Sequence, residues 1–358
     1  MRPKLTLHIG IHKTGTTSVQ IALKQNYDSG NLAKAQVNYV SATRGSTNAH
    51  HTFAQLTHQA PGSDKHLRDL TSISDEVLAQ PDILHVMSSE VFDLCAPDAH
   101  RLLRDHFVKS GINVGIVMTL RDAGSLLGSV FQQHLKQGLI APDESAFIEA
   151  VTASRDNISG KSFVPYVHMD KFIASLSEIY GKDALKLVHY KDIFSSSRGL
   201  AFFLESVGAD TSMAEFSSLP FVNETLSLEK LSYLSWLAAE LRHLKTGPVG
   251  HSGLKSSLDI LSKTDVPGTR YIFPIQDDAI ELCEVIKCGL RDLHRQETIP
   301  LQVVPDACPG TPLLPLKQIP KSQLQRFFTL TAQSLDPRLR DELKVSVVRL
   351  IGTGAEVP

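Results

Sequence analysis

The chain has 358 residues, 42% of them hydrophobic, with 36 basic and 38 acidic side chains and a formal net charge of −2. That balance excludes a disordered, collagen-like or disulfide-stapled chain. With no long basic block, it also excludes the electrostatic footprint of a general nucleic-acid binder, though a small polyanion held in a local cleft stays compatible. Cys95, Cys283, Cys288 and Cys308 lack CxxC spacing and read as reduced, packed thiols, which suits the cytoplasm. No apolar leader precedes Leu5 and no uninterrupted run of eighteen apolar residues occurs, so neither secretion nor a membrane span is expected.

Taken in chain order, Leu5–Ile9 is an apolar run that enters Gly10-Ile11-His12-Lys13-Thr14-Gly15-Thr16-Thr17 and then a helix from Ser18 to about Lys24. The polar, turn-rich stretch Ser41–Ala49 reads as a surface loop, and His50-His51 after it are candidates to border an acceptor cleft. Further short apolar runs at Val37–Val40, Ile83–Met87, Val114–Leu120 and Leu185–Tyr190 alternate with helical or loop-like stretches. This is the pattern of an α/β fold, a central parallel sheet flanked by helices. Met169, Phe172, Ile173, Leu176 and Tyr180 recur at helical spacing and stop at Gly181, and Ser227 is a candidate N-cap for the next leucine-rich helix. From Pro300 prolines break the chain before a last helical segment at Gln323–Leu350, so the expected division is a domain over 1–299 and a connector with a helical extension over 300–358.

Parallel sheets place ligands at the carboxyl ends of their strands, where a starting helix offers unpaired amides and a positive dipole end to an anion. Gly10 to Thr17 stands at such a place. It spells G-x-x-x-x-G-T-T, with Thr16 where an ATP-binding P-loop carries its lysine and with a lysine at Lys13 instead. Gly15 permits close backbone approach, Thr16 and Thr17 supply hydroxyls and amides, and Lys13 brings a point charge. After the run ending at Leu120 come Arg121-Asp122 and, eight residues beyond the arginine, Ser129. The arginine offers a planar fork for phosphate oxygens, and the serine a hydroxyl about two helical turns along. Glu90 follows the run Ile83–Met87 at a strand's end, a position from which a carboxylate can accept a proton.

His12-Lys13-Thr14-Gly15-Thr16-Thr17 resembles the 5′-phosphosulfate loop of the sulfotransferases that use 3′-phosphoadenosine 5′-phosphosulfate (PAPS), and Leu7-His8-Ile9-Gly10 before it is typical of bacterial members. Arg121…Ser129 is similar to the family's 3′-phosphate pair, with Ala123 where the family often has proline. The resemblance runs over about residues 4–240 and implies a P-loop-like three-layer fold and metal-free, in-line transfer of a sulfuryl group from PAPS to a hydroxyl or amine. The implied acceptor class is a carbohydrate or glycolipid. It implies cofactor contacts at Lys13, Thr14, Gly15, Thr16, Thr17, Arg121 and Ser129, an adenine contact at Tyr190, and Lys13 and Glu90 as the catalytic pair. The alternatives are a P-loop kinase or NTPase, and a nucleotide-binding protein without catalysis.

Overall fold

The computed structural model describes residues 3–10, 14–44, 47–121, 123–137, 144–153, 169–194, 197–220, 226–244, 247–264, 266, 268–269, 271 and 313–351. It forms two compact units.

The first unit is built on five parallel strands, β1 (Lys4–Gly10), β2 (Val37–Tyr39), β3 (Leu84–Ser88), β4 (Asn113–Leu120) and β5 (Leu185–His189), in the spatial order β2-β3-β1-β4-β5. All five follow the apolar runs of the sequence. Beyond its first residue β1 is buried along its whole length, as an interior parallel strand covered on both faces must be. Helices α1 (Thr16–Asp28), α2 (Asn31–Lys34), α3 (His51–Gln59), α4 (Asp64–Ala79), α5 (Pro97–Lys109), α8 (Met169–Tyr180), α9 (Tyr190–Phe194) and α10 (Gly199–Ser206) flank the sheet.

Local chemistry sets several of these boundaries. The Ser63 hydroxyl accepts from the His66 amide to cap α4, Pro97 opens α5, and Gly181, at φ 94°, ends α8 where a side chain would be strained. Val19, Ala22 and Leu23 of α1 pack with Val37, Tyr39, Val86, Val117 and Val188 of the sheet and Leu200 and Leu204 of α10. This apolar layer fixes where α1 begins over the sheet. The register pairs Gly10 with Thr119, His8 with Ser88 and Leu120 with His189, so the ends of β1, β3, β4 and β5 share one edge.

The second unit is helical and carries most of α6 (Ala123–Gln137) with α7 (Glu144–Ala153), α11 (Leu228–His243), α12 (Gly247–Lys263), α13 (Lys321–Ala332) and α14 (Pro337–Ile351). The Ser227 hydroxyl accepts from the Lys230 amide at the start of α11, the expected cap. The final helical segment is two helices, because Asp336-Pro337 starts a new one with the Asp336 carboxylate accepting from the Arg338 amide. Tyr233, Phe327 and Phe328 are fully buried in this unit, and the Tyr233 hydroxyl lies 2.7 Å from that of Thr331. The expected boundary at 299/300 lies outside the described residues, as do Cys283, Cys288 and Cys308. Among the described residues no helix is long and apolar enough to cross a membrane.

Candidate functional site

The site is built on the carboxyl edge of the first unit's sheet. Gly15 takes the left-handed conformation, φ 78°, and is the N-cap of α1. As in any α-helix, the first amides after it, those of Thr16 and Thr17, have no acceptor within the helix. Among the described residues the buried Thr16 hydroxyl has no hydrogen-bond partner, and it stands over Gly10, where any Cβ would collide with it. A buried hydroxyl donor beside helix-end amides is a cradle that fits an anion's oxygens. Thr14 is fully buried ahead of the turn and Thr17 is half-buried on its outer side. Lys13 and His12 lie outside the described residues.

On the β4–β5 side, the Arg121 guanidinium carbon lies 4.8 Å from the centre of the Tyr190 ring. That ring is stacked on Phe194 at 4.4 Å. Both rings abut Gly15, because a Cβ there would come within 2.9 Å of Tyr190 Cε2 and closer still to Phe194. Gly15, Tyr190 and Arg121 are therefore brought together, and the tyrosine ring is engaged by the arginine and the phenylalanine. Ser129, on α6, is half-buried and belongs to the second unit.

On the β3 side, the Gln20 side-chain amide, one turn into α1, donates to Glu90 Oε2 at 2.9 Å. His51 Nε2 lies 3.6 Å from Glu90 Oε1, and its Nδ1 lies 2.9 Å from the Ser89 hydroxyl. That hydroxyl also accepts from the Val91 amide and opens the short 3₁₀ turn Glu90–Leu94. Glu90 keeps 22% of its side chain exposed, so a fixed carboxylate still faces solvent.

Between the two flanks the sheet is pinned by His8. Its Nδ1 is 2.8 Å from the Ser88 hydroxyl on β3 and its Nε2 3.2 Å from the Thr119 hydroxyl on β4. Burial pushes this histidine down to about 3, so it is neutral at ordinary pH. His50 is likewise buried and lowered to about 4, with the Ser88 amide donating to its Nδ1. Of the histidine pair, His50 is thus a core residue and His51 alone reaches Glu90.

The sequence assigns no role in the site to Gln20 or Phe194, and gives His8 none beyond its place in Leu7-His8-Ile9-Gly10. The polar His8 inside an otherwise apolar strand was the available signal, whereas Gln20 and Phe194 carry none without the fold. Among the described residues no group of three His, Cys, Asp or Glu side chains is arranged to hold a metal ion.

No protein-family model matches the chain, and no curated protein matches it. Among solved structures it is similar to a sulfotransferase from Alicyclobacillus acidocaldarius, with 14% identity, a TM-score of 0.39, and coverage of 72% of this chain and 96% of that one.

Proposed function

We propose that this chain is a sulfotransferase that moves a sulfuryl group from PAPS to a hydroxyl or amine of an acceptor. The observation that carries the reading is the Thr16 hydroxyl, buried and unpartnered at the head of α1, with Arg121 held at the end of the neighbouring strand. It joins the sequence resemblance of the Lys13–Thr17 loop and of Arg121…Ser129. In this reading the amides and hydroxyls of Thr14 to Thr17, with Gly15 giving close approach, hold the 5′-phosphosulfate. Lys13 and the α1 dipole stabilise the negative charge that builds on the departing phosphate. Arg121 receives the 3′-phosphate. Tyr190 holds Arg121 in place with its ring, leaving its edge for the adenine.

Glu90 takes the proton of the acceptor as its oxygen or nitrogen attacks sulfur. The new bond forms at sulfur while the bond from sulfur to the bridging phosphate oxygen breaks, leaving adenosine 3′,5′-bisphosphate. Gln20 fixes one carboxylate oxygen, so the other presents its lone pairs to the acceptor.

The test is transfer of labelled sulfate from PAPS onto fractionated extracts, alongside binding of adenosine 3′,5′-bisphosphate and Mg-ATP. The reading expects a labelled product and tighter binding of the bisphosphate. Tighter binding of Mg-ATP with no sulfate transfer overturns it in favour of a P-loop kinase or NTPase, and bisphosphate binding with no transfer leaves a nucleotide-binding protein.

A further inference from the structure

Among the described residues, Arg44 is a buried cation with no ion-pair partner. It lies in the loop that leaves β2 and leads to α3, and only 5% of it is exposed. Its guanidinium carbon is 4.8 Å from the centre of the Tyr27 ring and 4.8 Å from that of Tyr39, so two aromatic rings hold the group. Nε and Nη1 are both buried and have no hydrogen-bond partner.

The Glu76 and Glu90 carboxylates are engaged elsewhere. Glu76 accepts from the Asn38 side chain at 2.8 Å and from the Ser41 and Ala42 amides at 2.8 Å and 2.7 Å, while Glu90 accepts from Gln20. A guanidinium cannot discard its proton, and its π contacts satisfy none of its N–H donors. Leaving such a group in the interior carries a desolvation cost that an arriving anion removes. Beside it the Thr43 hydroxyl is a second buried polar atom with no partner, on a non-glycine residue held at φ 65°. The Tyr39 ring that holds Arg44 also meets the His50 ring at 5.2 Å, and the next residue, His51, lies 3.6 Å from Glu90, so a short chain of contacts joins the orphaned cation to the proposed base.

We propose that Arg44 is an anion-recognition site, separate from the phosphate loop, that takes an oxyanion group of the acceptor whose hydroxyl or amine is presented to Glu90. The acceptor is therefore itself anionic, carrying a carboxylate, sulfate or phosphate within reach of the group to be modified. The acceptor assignment rests on the proposed sulfuryl transfer, whereas the anion site rests on Arg44 alone. The tyrosine rings orient the guanidinium and exclude water, so its two orphaned donors act in a medium where each is strong.

The experiment titrates glucuronate, inorganic sulfate and inorganic phosphate, with methyl glucoside as the uncharged control. It uses wild type, Arg44→Met, Arg44→Lys and Arg121→Met, with and without adenosine 3′,5′-bisphosphate to fill the phosphate loop. Saturable anion binding in wild type and Arg121→Met, at least tenfold weaker in Arg44→Met, is expected. Arg44→Lys keeps the charge without the planar fork and should bind several-fold more weakly than wild type while melting normally. The anion that binds tightest identifies the acceptor's acidic group. Equal binding by wild type and both Arg44 variants, or no saturable binding by wild type, overturns the site. Sulfuryl transfer with no Arg44-dependent binding removes this inference alone, and Arg44-dependent binding without any transfer removes the proposed activity alone.

Discussion

Arg121 and Tyr190, which follow neighbouring strands, meet with the guanidinium carbon 4.8 Å from the ring centre. The tyrosine is in turn stacked on Phe194, and both rings close on the glycine that starts α1. The arginine expected to bind a phosphate is thus oriented by an aromatic platform that also closes on the Gly15 turn.

Replacing that platform should weaken nucleotide binding. A cation–π contact of this kind contributes about 0.5–2 kcal/mol. Tyr190→Leu should therefore raise the dissociation constant for adenosine 3′,5′-bisphosphate by roughly 2- to 30-fold, read by calorimetric titration. Tyr190→Phe keeps the ring and should stay near wild type, and an equal loss in both variants would assign the effect to the hydroxyl instead.

Gly15→Ala should damage both the fold and the loop. Its left-handed backbone costs an alanine about 1–2 kcal/mol, and the new methyl would run into Phe194 and Tyr190. A lower denaturation midpoint with an unchanged m-value is the expected result. Undiminished stability would mean that the Tyr190–Phe194 pair yields readily.

The sheet was legible because each strand is a short apolar run buried on both faces, and β1 to β5 coincide with the five runs read from the sequence. The passage from strand through the Gly15 turn into α1 was legible because its glycines and threonines are adjacent in the chain. What escaped was whatever depends on contacts across the fold. Ser41–Ala49 reads as a polar surface loop, yet Arg44 within it is buried between tyrosines that lie 17 and 5 residues away in the chain. Gln20 looks like an ordinary polar helix residue until β3 delivers Glu90 to it. His50 and His51 are neighbours with identical chemistry, and only the β2–β3 packing separates a neutral core residue from one that reaches the carboxylate.

Acid should unfold the first unit early. Burial holds His8 at about 3 and His50 and His100 at about 4 in the folded state, against 6.5 unfolded. Unfolding below pH 6.5 therefore takes up protons, and stability rises with pH. The stabilisation is complete above 6.5 and is lost as pH falls toward 4, at about 1.4 kcal/mol per unit for each histidine. At pH 5 the three together remove about 6 kcal/mol, comparable with the whole stability of many domains. Urea unfolding at pH 5, 6, 7 and 8 should show this slope, and His100→Gln should reduce it. Stability that stays flat from pH 8 to pH 5 would contradict the neutral burial of these rings.

Glu90 is anchored from two directions, and the two anchors predict different kinetics. Gln20 donates to Oε2 at 2.9 Å, while His51 stands 3.6 Å from Oε1 and is itself tied to Ser89. If Glu90 is the base, Glu90→Gln removes proton acceptance and should lower kcat by roughly 10²- to 10⁴-fold, the usual contribution of a general base. The affinity for adenosine 3′,5′-bisphosphate should stay nearly unchanged, since the carboxylate faces the acceptor. Gln20→Leu leaves the carboxylate present but removes the bond that fixes it, so kcat should fall by about 10- to 150-fold, the worth of one hydrogen bond to a charged group. His51→Gln should spare the nucleotide and chiefly raise KM for the acceptor, because the imidazole flanks the oxygen left free by Gln20. Single-turnover transfer from labelled PAPS separates these effects. Wild-type turnover in Glu90→Gln would remove Glu90 from proton transfer, and Gln20 and His51 would then be holding a residue of purely structural weight.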